Sequence, residues 1–132
     1  MVKIRRKGVA IVESKEGILV VAGKRKVFAP PGGGAEKNES RKNATIRELR
    51  EETGLKAKSV KYLFSYEGKR WKDSMGRETM NHAKVFLIKS YGSLKPGNEI
   101  RHAKWYNPKS RLRISNSAKK VIEQYLNLKL KS

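Results

Sequence analysis

Residues 33–55 read GGAEKNESRKNATIRELREETGL. By position this is Gly33, five residues, Glu39, seven residues, then Arg47-Glu48-Leu49, Glu51-Glu52 and Gly54-Leu55. The spacing predicts a helix over 40–53. Ser40 suits an N-cap, no Pro or Gly interrupts, and Gly54 suits a left-handed stop. At about 100° per residue, Glu48, Glu51 and Glu52 fall within an arc of about 100°, while Ile46, Leu49 and Thr53 share another face and can pack inward. Three carboxylates on one short arc repel each other, and a hard cation such as Mg²⁺ or Mn²⁺ relieves that repulsion because it prefers oxygen ligands. Arg47 can reach Glu51 one turn on, or Glu39 in the preceding loop, and hold the cluster together. A solvated acidic face is the ordinary explanation of a Glu-rich helix. Here, however, the stretch carries five of the chain's 12 acidic residues in a strongly basic sequence, so background composition does not supply the cluster.

Immediately upstream lies Phe28-Ala29-Pro30-Pro31-Gly32-Gly33-Gly34. The prolines stiffen the approach, and the glycines let backbone come close to a ligand without a Cβ in the way. Together the two stretches form G-x5-E-x7-R-E-U-x-E-E-x-G-U, with U aliphatic. This resembles the signature box of the Nudix hydrolases, with Pro31-Gly32-Gly33 in register with the family's entry loop. Nine positions match without substitution. A chance match in a chain this long is on the order of one in ten million. Asn38 stands where the family often has Gly, and Asn tolerates the left-handed conformation.

The resemblance implies a Nudix-type α/β/α sandwich with a mixed sheet, where composition and periodicity alone support only α/β or α+β. It also implies a Mg²⁺-dependent hydrolase of phosphoanhydride bonds in a nucleoside diphosphate linked to X. In that reading Glu48, Glu51 and Glu52 are the metal ligands, with the Gly32 backbone carbonyl completing the shell. One of these glutamates, or Glu99 from a later loop, serves as the general base. Glu39 and Arg47 are supports behind the ligands. Glu67 and Glu78 rank below Glu99 as the loop carboxylate.

At 132 residues the chain is read as one domain, 1–132, large enough for a real core. No apolar run approaches the roughly 20 residues of a membrane span, and Met1-Val2-Lys3-Ile4 leads into a strand pattern with no secretory segment. Cysteine is absent, which fits a reducing cytoplasm. Lys and Arg number 32, giving a formal charge of +20. Residues 33–55 hold five basic and five acidic residues, so the whole excess lies outside them. A near-neutral metal centre in a basic body suits polyanionic substrates. Solubility, or the lysine-rich habit of a thermophile, explains the same charge without a substrate, and RNA binding fits it too.

The coarse pattern gives strands at 3–13 and 17–22, a short strand at Val27–Ala29, then the helix. Further strands follow at Val60–Tyr66 and Ala83–Ile88, separated by a polar segment, 67–81. A last strand at Ala103–Tyr106 precedes an amphipathic helix at Ser117–Leu128 with Val121, Ile122, Tyr125 and Leu128 as its apolar stripe. Lys24 and Arg25 lie just before the glycine loop, where a basic residue can touch substrate phosphates. Trp71 sits among Lys69, Arg70 and Lys72 and could stack a nucleobase while Arg70 or Lys69 takes phosphate. Trp105 reads as structural, and His82 and His102 lack metal-ligand spacing.

The short length looks like MutT-type members that cleave nucleoside triphosphates. ADP-ribose hydrolases of the family tend to carry a proline some fifteen residues beyond the box, and none lies between Leu55 and Lys95. The basic charge suits dinucleoside polyphosphates, inositol pyrophosphates or a 5′-triphosphate RNA end. A non-catalytic RNA-binding module of the same fold is disfavoured because all the box glutamates are present. Members of the family also dimerise in several ways, so a homodimer is among the expected states.

Overall fold

The structure is a computed structural model that describes residues 1–131. Strand β1 (Lys3–Ile11) starts exposed and basic and ends buried, with Ala10 and Ile11 fully enclosed. The chain then changes sheets through β2 (Glu13–Ser14) and turns into β3 (Gly17–Ala22). Next come β4 (Gly32–Gly34), helix α1 (Arg41–Thr53) and the long strand β5 (Lys56–Glu67). A hairpin of β6 (Trp71–Lys72) and β7 (Glu78–Tyr91) leads on to β8 (His102–Tyr106) and helix α2 (Asn116–Leu130).

Two sheets result. The larger runs β4-β1-β7-β5 with β6 on β7, and the smaller runs β2-β3-β8. The larger is mixed: β1 and β7 are parallel, and the other pairs are antiparallel. One apolar cluster joins Leu49 of α1 to Ala10, Leu19, Phe86 and Ile88. The other joins Val121, Ile122 and Tyr125 of α2 to Ile11, Ile18, Val20 and Val85. Alternation along β3 sends Ile18 and Val20 to one cluster and Leu19 to the other, so the strands form a middle layer between the helices. That is the mixed-sheet α/β/α arrangement expected. Among the described residues, no helix is long and apolar enough to cross a membrane.

Several local expectations are corrected. Val27–Ala29 forms only isolated bridges, Ala29 to Val21 and Phe28 to Ile114. Pro30 and Pro31 have no N–H to continue a ladder, so the strand resumes at Gly32, with Val9 opposite Gly32 and Lys7 opposite Gly34. The segment 67–81 is largely a hairpin, with Trp71 paired to Thr79. Strands β5 and β7 extend well beyond their apolar centres. On α2, Leu128 stays 42% exposed, and the buried stripe ends at Tyr125. Ile46 is half-buried, and Thr45 takes the enclosed position on α1 instead.

Candidate active site

Helix α1 starts and stops as its sequence dictates. The Ser40 hydroxyl accepts from the Asn43 N–H at 3.0 Å, and Gly54 closes the helix in the left-handed region at φ 78°, its N–H donating to the Arg50 carbonyl. Asn38 adopts φ 66°, so the turn expected there does form. The helix rests directly on β1: a Cβ at Gly8 would collide with Thr45 Oγ1 and with the Arg41 carbonyl. Gly33 plays the same part for the carboxylates, because a Cβ there would lie 2.7 Å from the Glu48 carboxyl carbon. The glycine segment and the glutamate face are therefore packed together without intervening side chains.

Arg47 organises this face. Its Nε donates to Glu39 Oε2 at 2.9 Å and its Nη2 to Glu39 Oε1 at 3.0 Å, a two-pronged pair. Nη1 reaches Glu48 Oε1 at 2.9 Å and Glu51 Oε2 at 3.2 Å, and Nη2 also meets the Gly34 carbonyl at 3.2 Å. Glu39 in turn accepts from the Glu36 N–H at 2.9 Å. Hydrogen bonds from Arg47, aided by that N–H, hold the Glu39 carboxyl down at about 2, and the same bonds raise the Arg47 guanidinium above its ordinary value. Both expected partners of Arg47, Glu39 and Glu51, are engaged at once.

Glu52 is in the opposite electrostatic condition. Burial lifts its carboxyl to about 7; the Gly32 N–H, donating to Oε1 at 3.1 Å, works against the rise, while Glu48 and Glu51 add to it. Lys7 of β1 pulls the other way. Burial also lowers the Lys7 ammonium, with Arg5 adding to that and Glu52 and Glu48 opposing it. Glu52 and Lys7 both line a cleft of about 340 Å³ between the two sheets and under α2. Tyr66, Asn81, Val27 and Val121 also line it. The sequence does not single out Lys7, one basic residue among 32. Only the strand alternation that puts it beside Val9 on the cleft face could have marked it.

The remaining candidates are not among the residues that line the cleft. Lys24 and Arg25 are exposed on the turn after Gly23, which lines the cleft. Gly97 donates its N–H to the Glu52 carbonyl at 2.9 Å, so the loop bearing Glu99 is docked on the end of α1; Glu99 itself is exposed. Arg70 pairs with Glu78 at 3.7 Å on the hairpin surface. Trp71 is 36% exposed, and as the partner of Thr79 it shares by alternation the sheet face that bears Asn81. Glu67 is exposed at the end of β5.

Among the described residues, no three His, Cys, Asp or Glu side chains already converge as a metal-binding group. Arg47 instead bridges Glu48 and Glu51, and Glu52 turns to a backbone N–H. The residues nonetheless fit a hard divalent cation. All the side-chain donors are oxygens, and the negative charges of Glu48 and Glu51 bear on a half-buried third carboxyl, which a cation would relieve.

The family described as NUDIX domain matches residues 3–125. The ADP-ribose pyrophosphatase of Methanocaldococcus jannaschii is 30% identical over 128 residues, covering 90% of this chain and 71% of that protein. A protein of Chromobacterium violaceum assigned to the nudix hydrolase family superposes with a TM-score of 0.80 at 32% identity, over 96% of this chain and 79% of the other. The fold is shared also with a bifunctional NMN adenylyltransferase/ADP ribose pyrophosphatase of Francisella tularensis, solved with AMP and a Mn ion. There the TM-score is 0.69 at 22% identity, over 96% of this chain and 42% of that one.

Proposed function

Since this chain belongs to the NUDIX domain family of pyrophosphohydrolases, we propose that it cleaves the phosphoanhydride bond of a nucleoside diphosphate linked to X, with Mg²⁺ or Mn²⁺ as cofactor and a nucleoside triphosphate as the first substrate to try. It would do so as a single domain. The observation that carries the proposal is the position of Glu52: half-buried, tied to the Gly32 N–H, flanked by Glu48 and Glu51, and opening on the cleft. Glu48, Glu51 and Glu52 would hold the cation, joined by the Gly32 carbonyl. The bound cation supplies charge neutralisation of the diphosphate and a water acidic enough to be deprotonated near neutral pH.

The chain's own residues do the rest. Arg47, anchored on Glu39, holds Glu48 and Glu51 on one face of α1 through one carboxylate oxygen each. Lys7 lies on the cleft wall beside Glu52, where its ammonium can meet a phosphate oxygen. A carboxylate of the cluster, or Glu99 from the loop docked on α1, accepts the proton of the attacking water. Lys24 and Arg25 lie near the rim, where they draw a polyanion inward.

ADP-ribose is a second substrate with an observation of its own, the M. jannaschii relative of that activity. It is weighed against the missing downstream proline. The test is phosphate or nucleotide release from nucleoside triphosphates, ADP-ribose, dinucleoside polyphosphates and an inositol pyrophosphate, each with Mg²⁺ and with Mn²⁺. Glu52→Gln should lose roughly 100-fold or more in rate. Turnover of none of these compounds, or equal turnover by the variant, would sink the proposal.

A further inference from the structure

The cleft carries little charge. Its charged lining residues are Lys7 and Glu52. In a chain with 32 Lys and Arg residues, the rest of the wall is Val21, Ala22, Val27, Tyr66, Ala118, Val121 and similar apolar or small groups. A ligand that is anionic throughout, such as an inositol pyrophosphate, would bury phosphates there against apolar surface without counter-charges. A ligand with phosphates at one end and an uncharged planar ring at the other matches the wall along its length. Tyr66 offers that ring an aromatic face, and Val121 of α2 lies in the same lining.

One polar group in the apolar part lacks a partner. Asn81 lines the cleft, and its Oδ1 is enclosed with no hydrogen-bond donor among the described residues. Buried amide oxygens are nearly always paired. Its backbone is well fixed in β7, its carbonyl accepting from the Gly68 N–H at 3.0 Å. Gly68 brings no side chain of its own to the amide. In the register of β1 on β7, Lys7 lies opposite Ala83, so Asn81 is one strand across and two residues along. By strand spacing and rise their Cα atoms are about 8 Å apart, a spacing on the scale of one nucleoside.

We propose that the cleft takes one nucleoside unit, its phosphates at Lys7 and the carboxylate end and its base against Asn81, and that the Asn81 amide determines which bases are accepted. An amide side chain offers an acceptor and a donor side by side, which is the pattern along the hydrogen-bonding edge of a nucleobase. This rests on the pyrophosphohydrolase proposal for the substrate's phosphate end, but not for the base.

The experiment uses the full chain and two readouts. Equilibrium binding of ADP, GDP, CDP and UDP should favour some bases over others by tenfold or more. Asn81→Leu should reduce that preference to about twofold or less. Asn81→Asp, similar in shape but able only to accept when ionised, should change the rank order of the four bases. Base-selective binding abolished in this way upholds Asn81 even in a protein that turns nothing over, an outcome that defeats only the hydrolytic reading. Equal binding of the four nucleotides by the parent protein overturns the inference, as does an equal loss for all four in both variants. Hydrolysis of an inositol pyrophosphate with no binding of any nucleotide also overturns it while leaving pyrophosphohydrolase activity in place.

Discussion

Helices α1 and α2 each begin at a serine whose hydroxyl accepts from an N–H three residues on, Ser40 from Asn43 and Ser115 from Ala118. Each ends with a basic residue in its last turn. Beyond those shared ends they diverge. Helix α1 buries Ala44, Thr45, Leu49 and Thr53, of which only Leu49 is a large apolar side chain. Its outer face is held by the five contacts of Arg47. Helix α2 buries Val121, Ile122 and Tyr125, and is pinned to β2 where Tyr125 donates to Glu13 at 2.6 Å and Lys129 reaches the same carboxylate. One helix is seated chiefly by polar geometry and close backbone approach, the other by apolar burial. The helix proposed to carry the chemistry is the one with less hydrophobic anchorage, so its position is tied to the charge state of its neighbours.

The largest test of this contrast pairs Leu49→Ala with Ile122→Ala. Each removes a buried aliphatic group, and each should cost about 2–5 kcal/mol in urea unfolding. Their effects on activity should differ in kind. Leu49→Ala loosens the helix that carries the glutamates and should lower kcat, whereas Ile122→Ala loosens the wall of the cleft and should raise KM with less effect on kcat. Identical kinetic profiles would erase the distinction between the helices.

A smaller effect is expected at the caps. Ser40→Ala and Ser115→Ala should each cost about 0.5–2 kcal/mol in thermal unfolding. The Ser115 effect should be the lesser, since its bond is 3.3 Å against 3.0 Å at Ser40. Only the Ser40 change, adjoining Glu39, should also reduce the rate. A rate loss in Ser115→Ala of the same size would contradict it.

The gentlest test is pH. The Glu39 carboxyl, lowered from an ordinary 4.5 to about 2, favours the folded state only where it is ionised. Its contribution is therefore fully present above about 4.5 and is lost as the pH falls from there through about 2. Glu39→Gln should have a shallower decline in stability across that interval than the parent protein. Curves of equal slope would remove Glu39 from the account of how α1 is held.

Much of this organisation is legible in the sequence, and what is not has a physical reason. Helix α1, its two caps and the grouping of its glutamates follow from local periodicity, and so does β3, found at the expected residues 17–22. Strand β4 was hidden because three glycines carry no side-chain pattern, and its existence depends on β1 lying alongside. The ends of β5 and β7 were hidden because polar residues such as Lys56 and His82 occupy strand positions where alternation no longer separates core from solvent. Lys7 and Asn81 could not be picked out for a related reason. Their significance lies in burial against residues distant in the chain, while in the sequence one is a common base and the other a common polar residue.

The parallel pairing of β1 with β7 also bears on how the chain folds. Lys3 lies opposite Thr79 and Ile11 opposite Leu87, each pair 76 positions apart, and Ile18 must likewise find Tyr106. Local hairpins such as β6–β7 can close early, but the central ladder waits for loops of this length to be closed first, which slows folding. During synthesis, the apolar half of β1 therefore emerges long before its partner and remains without it until most of the chain has been made. Its first half is charged, Lys3, Arg5, Arg6 and Lys7, and like charges along an unpaired strand discourage edge-to-edge association. Lys7, which lines the cleft in the folded protein, and its basic neighbours would then also act earlier, keeping an unpartnered strand from the wrong neighbour.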